Sequence, residues 1–418
     1  YLWYFIILKL MHKYLILFLS ILLMTCSESK DSSLLESIIL SLESDFSGII
    51  SNPKKHRLQV LYTQIDRDKN NNPTFTTHSF RLRPREYFYP ASTTKFPIAV
   101  LALEKASQNS KISLYSRLEV LTEKPELNGV VRDLSSESGY PSLAHYIRRL
   151  FIVSDNSANN RLYEFLGRDH INQRLWNLGY HNTRIRHRLS ISLDEELNKY
   201  TNPFVFYDKD HIVYEQSSKI GTVDLDSDYS DYLIGDYHYS NGKKNNGPLD
   251  FSTKNFMNIS DQHEFMKQVI FPKSIPAKQQ LSLNDEDYAL LYKEMSILPR
   301  QSKYPEYPDY DRYYDGYCKF FMYGDTKDRI PDHIKIFNKV GLAYGFLLDN
   351  AYIIDIKNNV EFILTAVVYH NDNQTMNDDT YEYDNITIPF LAELGRKVYS
   401  NELVREKRYS PDLSRFNN

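Results

Sequence analysis

Only two cysteines stand in the 418 residues, Cys26 and Cys318, so a disulfide framework is excluded and the fold must rest on its core. Glycine is scarce, 14 residues against 34 tyrosines, which argues against a glycine-rich phosphate cradle or a repeat architecture. Neither sign of charge dominates: 50 Lys and Arg oppose 54 Asp and Glu for a net charge of −4, and nucleic-acid binding finds no support. The two cysteines and 12 scattered histidines offer no metal-ligand spacing, so no metal and no other cofactor is expected. Long apolar runs are confined to the N-terminal end. At this length the chain can build one large or two ordinary domains.

That apolar run, Tyr14 to Met24, follows Met11-His12-Lys13 and is shorter than an ordinary membrane span. A short positive region before some 7–15 apolar residues is the pattern of a secretory signal. The first ten residues lack an initiator, so translation is expected to start at Met11. Cys26 follows the run and precedes the polar Ser27-Glu28-Ser29-Lys30, which resembles a bacterial lipoprotein cleavage site, with Met24 and Thr25 larger than usual there. The expectation is an exported protein of the bacterial cell envelope, in the periplasm or at the outer membrane, held by a lipid anchor on Cys26. Residues 1–25 are then upstream sequence and signal, 26–33 a polar tether, and 34–412 the folded domain. Cys318 is left without a partner.

Leu34 to Leu42 carries a helical stripe of apolar residues. Strand-like runs His56–Ile65 and Thr74–Leu82 flank a polar turn and predict a hairpin. Helices are expected from Ser142, with Leu143, Tyr146, Ile147 and Leu150 on one face, and over Ser157–Leu166, stopped by Gly167. Runs His333–Lys339, Phe346–Ile356 and Val360–Tyr369, joined by short turns, predict an antiparallel meander, followed by a helix over about Ile388–Tyr399. The fold class is therefore α/β in the α+β sense: an antiparallel sheet flanked by N- and C-terminal helices, plus an all-helical half. The polar stretch of about 200–329, with one clear amphipathic helix near Asp285–Ile297, reads as an insertion exposed at the surface.

The most informative stretch begins at Tyr89-Pro90-Ala91-Ser92-Thr93-Thr94-Lys95 and continues through Phe96, Ile98, Ala99, Val100, Leu101, Ala102 and Leu103. A helix without a polar face belongs inside a domain. Ser92 and Lys95, three apart, share a helix face, and a buried lysine loses its proton readily, so the pair has the makings of a nucleophile and its base. Ser-x-x-Lys also occurs at Ser27–Lys30, Ser51–Lys54 and Ser240–Lys243, each in polar, loop-like surroundings. Pro97 is expected to cost a backbone hydrogen bond just past the first turn.

Ser154-Asp155-Asn156 and Lys339-Val340-Gly341 follow in order. Taken alone, Ser154-Asp155-Asn156 suits a turn or helix cap. With Ser92-x-x-Lys95 the ordered set resembles the penicillin-recognising serine enzymes, specifically the class A β-lactamases, which carry S-x-x-K, S-D-N and K-T-G or K-S-G. The Ser92–Ser154 interval is close to that family's; the Ser154–Lys339 interval is far longer. The resemblance implies a β-lactamase/transpeptidase-like fold and an acyl-enzyme formed at Ser92, with Lys95 accepting its proton and Ser154 relaying a proton to the leaving nitrogen. Asn156 would hold the substrate amide and Lys339 an acidic group. Gly341 belongs to the third motif, and the N–H groups of Ser92 and Leu342 would form the oxyanion hole. The implied partner is a small β-lactam or a cell-wall peptide-like substrate. An alternative is a penicillin- or peptidoglycan-binding lipoprotein that acylates with little turnover. Oligomeric state is left open.

Two departures stand out. Val340 replaces a hydroxyl residue that in the family helps bind the β-lactam carboxylate. The base that deacylates is also displaced: Leu189 occupies its ungapped position, while Asp194-Glu195-Glu196-Leu197-Asn198 resembles the family's E-x-E-L-N. Asp194 is therefore the candidate base, with Glu195 and Glu196 beside it; composition alone reads the trio as a solvated acidic helix start.

Overall fold

A computed structural model describes residues 32–226 and 229–416. The signal-like segment, Cys26 and most of the polar tether lie outside the described residues.

Five strands form one antiparallel sheet. They are β1 (Gln59–Arg67), β2 (Pro73–Phe80), β5 (Ile334–Ala343), β6 (Phe346–Asp355) and β7 (Val360–Tyr369), in the order β5-β6-β7-β1-β2. Strand periodicity of two sorts the side chains between two layers. Val360, Phe362, Leu364, Ala366 and Val368 of β7 join an apolar cluster with helices α1 (Ser33–Leu40), α2 (Glu43–Ile50) and α10 (Ile388–Val404). On the opposite face, Phe337, Tyr352, Ile354 and Ile363 meet the helical half. That half centres on α3 (Lys95–Ser107), in which every residue from Lys95 to Glu104 is buried. Each fully buried leucine or isoleucine there contributes about 1.5–3 kcal/mol. Around α3 pack α4 (Leu143–Ile152), α5 (Asn156–Leu166) and α9 (Asp285–Ser296).

Pro97 costs less than its sequence position suggests. The α-helix starts at Lys95, after a 3₁₀ turn over Ala91–Thr94, so the proline falls in the first helical turn, where amides commonly lack an intrahelical acceptor.

The polar stretch is only partly exposed at the surface. Its helix α8 (Ile259–Ile270) lies across β1, β6 and β7, with Phe265, Met266, Val269 and Ile270 fully buried. Polar residues on α8 disguise it. His263 sits fully buried between the hydroxyls of Thr63, 2.6 Å away, and Thr365, 2.8 Å away, and burial lowers its pKa to about 3, so the ring is neutral. The exposed part carries a hairpin of β3 (Tyr237–Ser240) and β4 (Lys243–Asn246). Asn241 and Gly242, at φ of 50° and 72°, form its tight turn. Strand β3 pairs in parallel with β8 (Thr375–Met376), which fastens this hairpin beside the end of the main sheet.

Candidate active site

Ser92 is carried by the 3₁₀ turn, where the chain passes through an unusual conformation: Ala91, a buried alanine, has φ of +48°. Such a residue is held by its surroundings. The Pro90 carbonyl accepts from both the N–H (3.1 Å) and the hydroxyl (2.6 Å) of Thr93, and the Thr94 hydroxyl donates to the Ala91 carbonyl at 3.0 Å. The edge strand β5 runs against this turn through Gly341. A Cβ at 341 would stand 2.8 Å from Pro90 O and 3.1 Å from the nitrogens of Ser92 and Thr93, so only glycine permits the approach.

The β5–β6 hairpin closes on Tyr344 and Gly345, at φ of 56° and 81°, with Ala343 opposite Phe346. A two-residue turn makes Ala343–Phe346 a hydrogen-bonded pair, and ladder alternation then turns the Leu342 N–H away from β6. It points off the free edge of the sheet, where the Ser92 turn packs. The same alternation sends Lys339 toward the helical half and Val340 into the opposite layer. Val340 is 2% exposed among Ile334, Ile336 and Leu347, so its side chain does not line the cavity at Ser92.

Ser154 occupies the tip between α4 and α5 at φ of +57°. Asp155 fixes that tip: one carboxylate oxygen caps α5 by accepting from Ala158 N at 2.8 Å, and the other accepts from Arg149 at 2.6 Å. The Ser154 hydroxyl lies between two amines, 2.8 Å from Lys339 Nζ and 3.2 Å from Lys95 Nζ, and Lys95 also donates to the Ser154 carbonyl. Lys95 is fully buried. Burial first, and then the neighbouring Lys339 charge, hold its pKa well below that of a free lysine. Burial draws Lys339 down to about 8 against the opposing field of Cys318 and Asp349. Among the described residues Ser92 Oγ makes no hydrogen bond, and the Lys95 amine is directed to Ser154 instead.

The structure thus gathers Ser154, Lys95 and Lys339 around one hydroxyl. It sets Ser92, Asn156 and Leu342 in the wall of one cavity of about 410 Å³, with Gly341 against the Ser92 turn. Asp194 is placed elsewhere. It caps the short helix Glu195–Lys199 by accepting from Leu197 N at 2.8 Å, while Glu195 and Glu196 are exposed and paired with Lys199. None of the three lines the Ser92 cavity. Ser190 stands at the wall instead, where its hydroxyl accepts from Asn156 Nδ2 at 2.8 Å. Asn160 pins the adjoining Leu189 backbone with two 2.9 Å hydrogen bonds. Asp379, exposed, is the one carboxylate among the described residues of the wall.

Sequence reasoning missed Ser190 and an aromatic lining of Tyr89, Tyr344, Tyr381 and Tyr383. The abundance of tyrosine was the available signal, but their convergence depends on segments almost 300 residues apart in the chain. His370, Asp372 and Glu382 also come within 4.8 Å of one another; a 2.9 Å hydrogen bond joins the first two.

Residues 41–217, which carry the first two motifs, match the model of the beta-lactamase enzyme family. That segment is similar to the beta-lactamase enzyme family. The third motif lies beyond the matched segment, and the fold brings it in through β5. Comparison with curated proteins finds no match. Similar solved structures include a β-lactamase from Xanthomonas campestris pv. campestris, 13% identical, covering 88% of this chain and 97% of that one, TM-score 0.48. A class A β-lactamase from Mycobacterium abscessus is 13% identical, covering 88% and 98%, TM-score 0.47. The β-lactamase of Streptomyces albus G is 13% identical, covering 87% and 99%, TM-score 0.47.

Proposed function

We propose that this β-lactamase-like protein is a serine hydrolase that becomes acylated at Ser92 by a β-lactam or a related small amide or ester, and that water releases the acyl group slowly. The observation that carries the first half is the Ser154 hydroxyl held between Lys95 and Lys339 beside the cavity of Ser92. In this reading Ser92 Oγ attacks the carbonyl carbon as its proton passes to the neutral Lys95 amine, and a C–O bond forms. The C–N bond then breaks, and the proton travels from Lys95 through the Ser154 hydroxyl to the leaving nitrogen. Lys339, still cationic below about pH 8, faces the developing negative charge. The N–H groups of Ser92 and Leu342 stabilise the oxyanion, at about 2.7–4 kcal/mol per donor.

The absence of Asp194, Glu195 and Glu196 from the cavity wall favours a second reading at the limit of the first. In it the acyl group stays on Ser92, and the molecule serves as a penicillin- or peptidoglycan-binding protein. We further propose export and anchoring through an acylated Cys26; labelling of the expressed protein with a palmitate analogue, lost in Cys26→Ala, is the expected result. The two catalytic readings separate in a time course of intact mass after adding benzylpenicillin, where an adduct on Ser92 decays in the first and persists in the second.

A further inference from the structure

A second cavity of about 630 Å³ adjoins that of Ser92 and shares Tyr89, Ser190, Tyr344 and Asn377 with it. One wall is the loop from Arg186 to Leu193. The other comes from the exposed part of the polar stretch, including Tyr239, Asn241 and Lys254. Its lining is unlike the rest of this acidic chain. Arg168, Arg186, Arg188 and Lys254 supply four positive charges and Glu195 one negative, a balance of +3 in a chain whose net charge is −4.

The arginines are engaged. Arg188 pairs with buried Glu164 at 3.0 Å, Arg168 donates to Val223 O at 2.9 Å, and Arg186 donates to Leu225 O. Lys254 is different. Among the described residues its amine has neither a hydrogen bond nor an ion pair, and it is half-buried. Burial lowers its pKa with no carboxylate to oppose the shift. Nearby His187, fully engaged by the Arg188 carbonyl at 2.6 Å and the Asn255 amide, is held neutral, its pKa lowered to about 4, and so supplies no counter-charge. A desolvated cation without a partner on the wall of a polar cavity calls for an anion from outside the chain.

We propose that this cavity receives a carboxylate on the part of the substrate that stays attached to Ser92, with Lys254 as its principal contact. The inference rests on acylation at Ser92. The acyl portion is the one concerned because Ser190, which accepts from the Asn156 that holds the acyl amide in this reading, is shared by the two cavities, whereas Ser154 and Lys339 line neither. The shared tyrosines Tyr89 and Tyr344, packed edge to face at 5.2 Å, form the passage between the two chambers. The substrate class is thus an amide whose acyl chain ends in an acidic group.

The test uses 6-(glutarylamino)penicillanic acid and its side-chain methyl ester, which differ only in that terminal charge. Acylation is followed by intact mass, and equilibrium binding of N-glutarylglycine to a Ser92→Ala variant is measured alongside. The carboxylate is expected to acylate at least about tenfold faster than the ester. Lys254→Met should shrink that ratio several-fold, and Lys254→Arg should restore most of it. N-glutarylglycine should bind Ser92→Ala and lose that binding when Lys254→Met is added. Equal rates for the two penicillins, together with binding indifferent to Lys254, would overturn the inference. If neither penicillin acylates while N-glutarylglycine binds in a Lys254-dependent way, the cavity assignment stands and the acyl-enzyme reading falls. Failure of both acylation and binding removes both.

Discussion

The proposed chemistry turns on two lysines whose burial shifts their proton affinity. Lys95 is fully enclosed and has a second lysine as its neighbour, so its amine gives up its proton more readily than a free lysine's. Lys95→Met keeps the bulk and removes the lone pair; acylation is expected to fall by about 10²–10⁴-fold with the fold intact, checked by adduct formation and circular dichroism. Lys339 has the opposite task and must stay charged. With its pKa drawn down to about 8, it is a cation below that value and neutral above it. Acylation by an anionic β-lactam should therefore decline as pH rises through about 8. Lys339→Gln should be slow throughout and lack that descending limb; a limb unchanged in the variant would assign it to another group. At this scale the motif residues were legible, because each combines a residue type with a chemical demand. Ser190 was not: nothing in a lone serine signals that the loop around it will place its hydroxyl 2.8 Å from Asn156.

Elements position these residues through a few contacts that tolerate little change. The approach of β5 to the Ser92 turn depends on Gly341, whose missing Cβ leaves room for Pro90 O and two backbone nitrogens. Gly341→Ala must push strand and turn apart, so acylation should drop by at least about tenfold while the melting temperature moves little; the comparison needs only adduct kinetics and a thermal melt. Asp155 holds the other side. Asp155→Ala removes a helix cap worth about 0.5–2 kcal/mol and an ion pair to Arg149. It should lower stability in urea by about 1–2 kcal/mol, whereas Asp155→Asn, still able to cap, should lose less. Strands β5 to β7 and helices α4 and α5 were readable from periodicity because their apolar residues repeat cleanly. Helix α8 was not, since Gln262, His263 and Gln268 interrupt its pattern, yet all three are buried and each makes side-chain hydrogen bonds. Hydropathy sees the polar atoms and misses their partners.

Across the whole molecule, the sheet with its two helical layers was foreseeable from the order of strands and helices, and the fold brings residues of the three ordered motifs together. What sequence did not reveal is how the exposed part of the 200–329 stretch is used. Its β3–β4 hairpin pairs with β8 after the last long strand, and so builds a wall for a second chamber beside the serine. That wall exists only through pairing between segments far apart in the chain. The proposed chemistry comes down to two points: Ser92 takes the acyl group, and no carboxylate of the loop after Arg188 lines its cavity to speed release. Intact mass spectrometry of the purified protein, sampled over time after mixing with benzylpenicillin, tests it most directly. One penicilloyl group on Ser92, absent in Ser92→Ala, is expected to outlast the mixing by many minutes. No mass gain, or a gain that persists in Ser92→Ala, would contradict it.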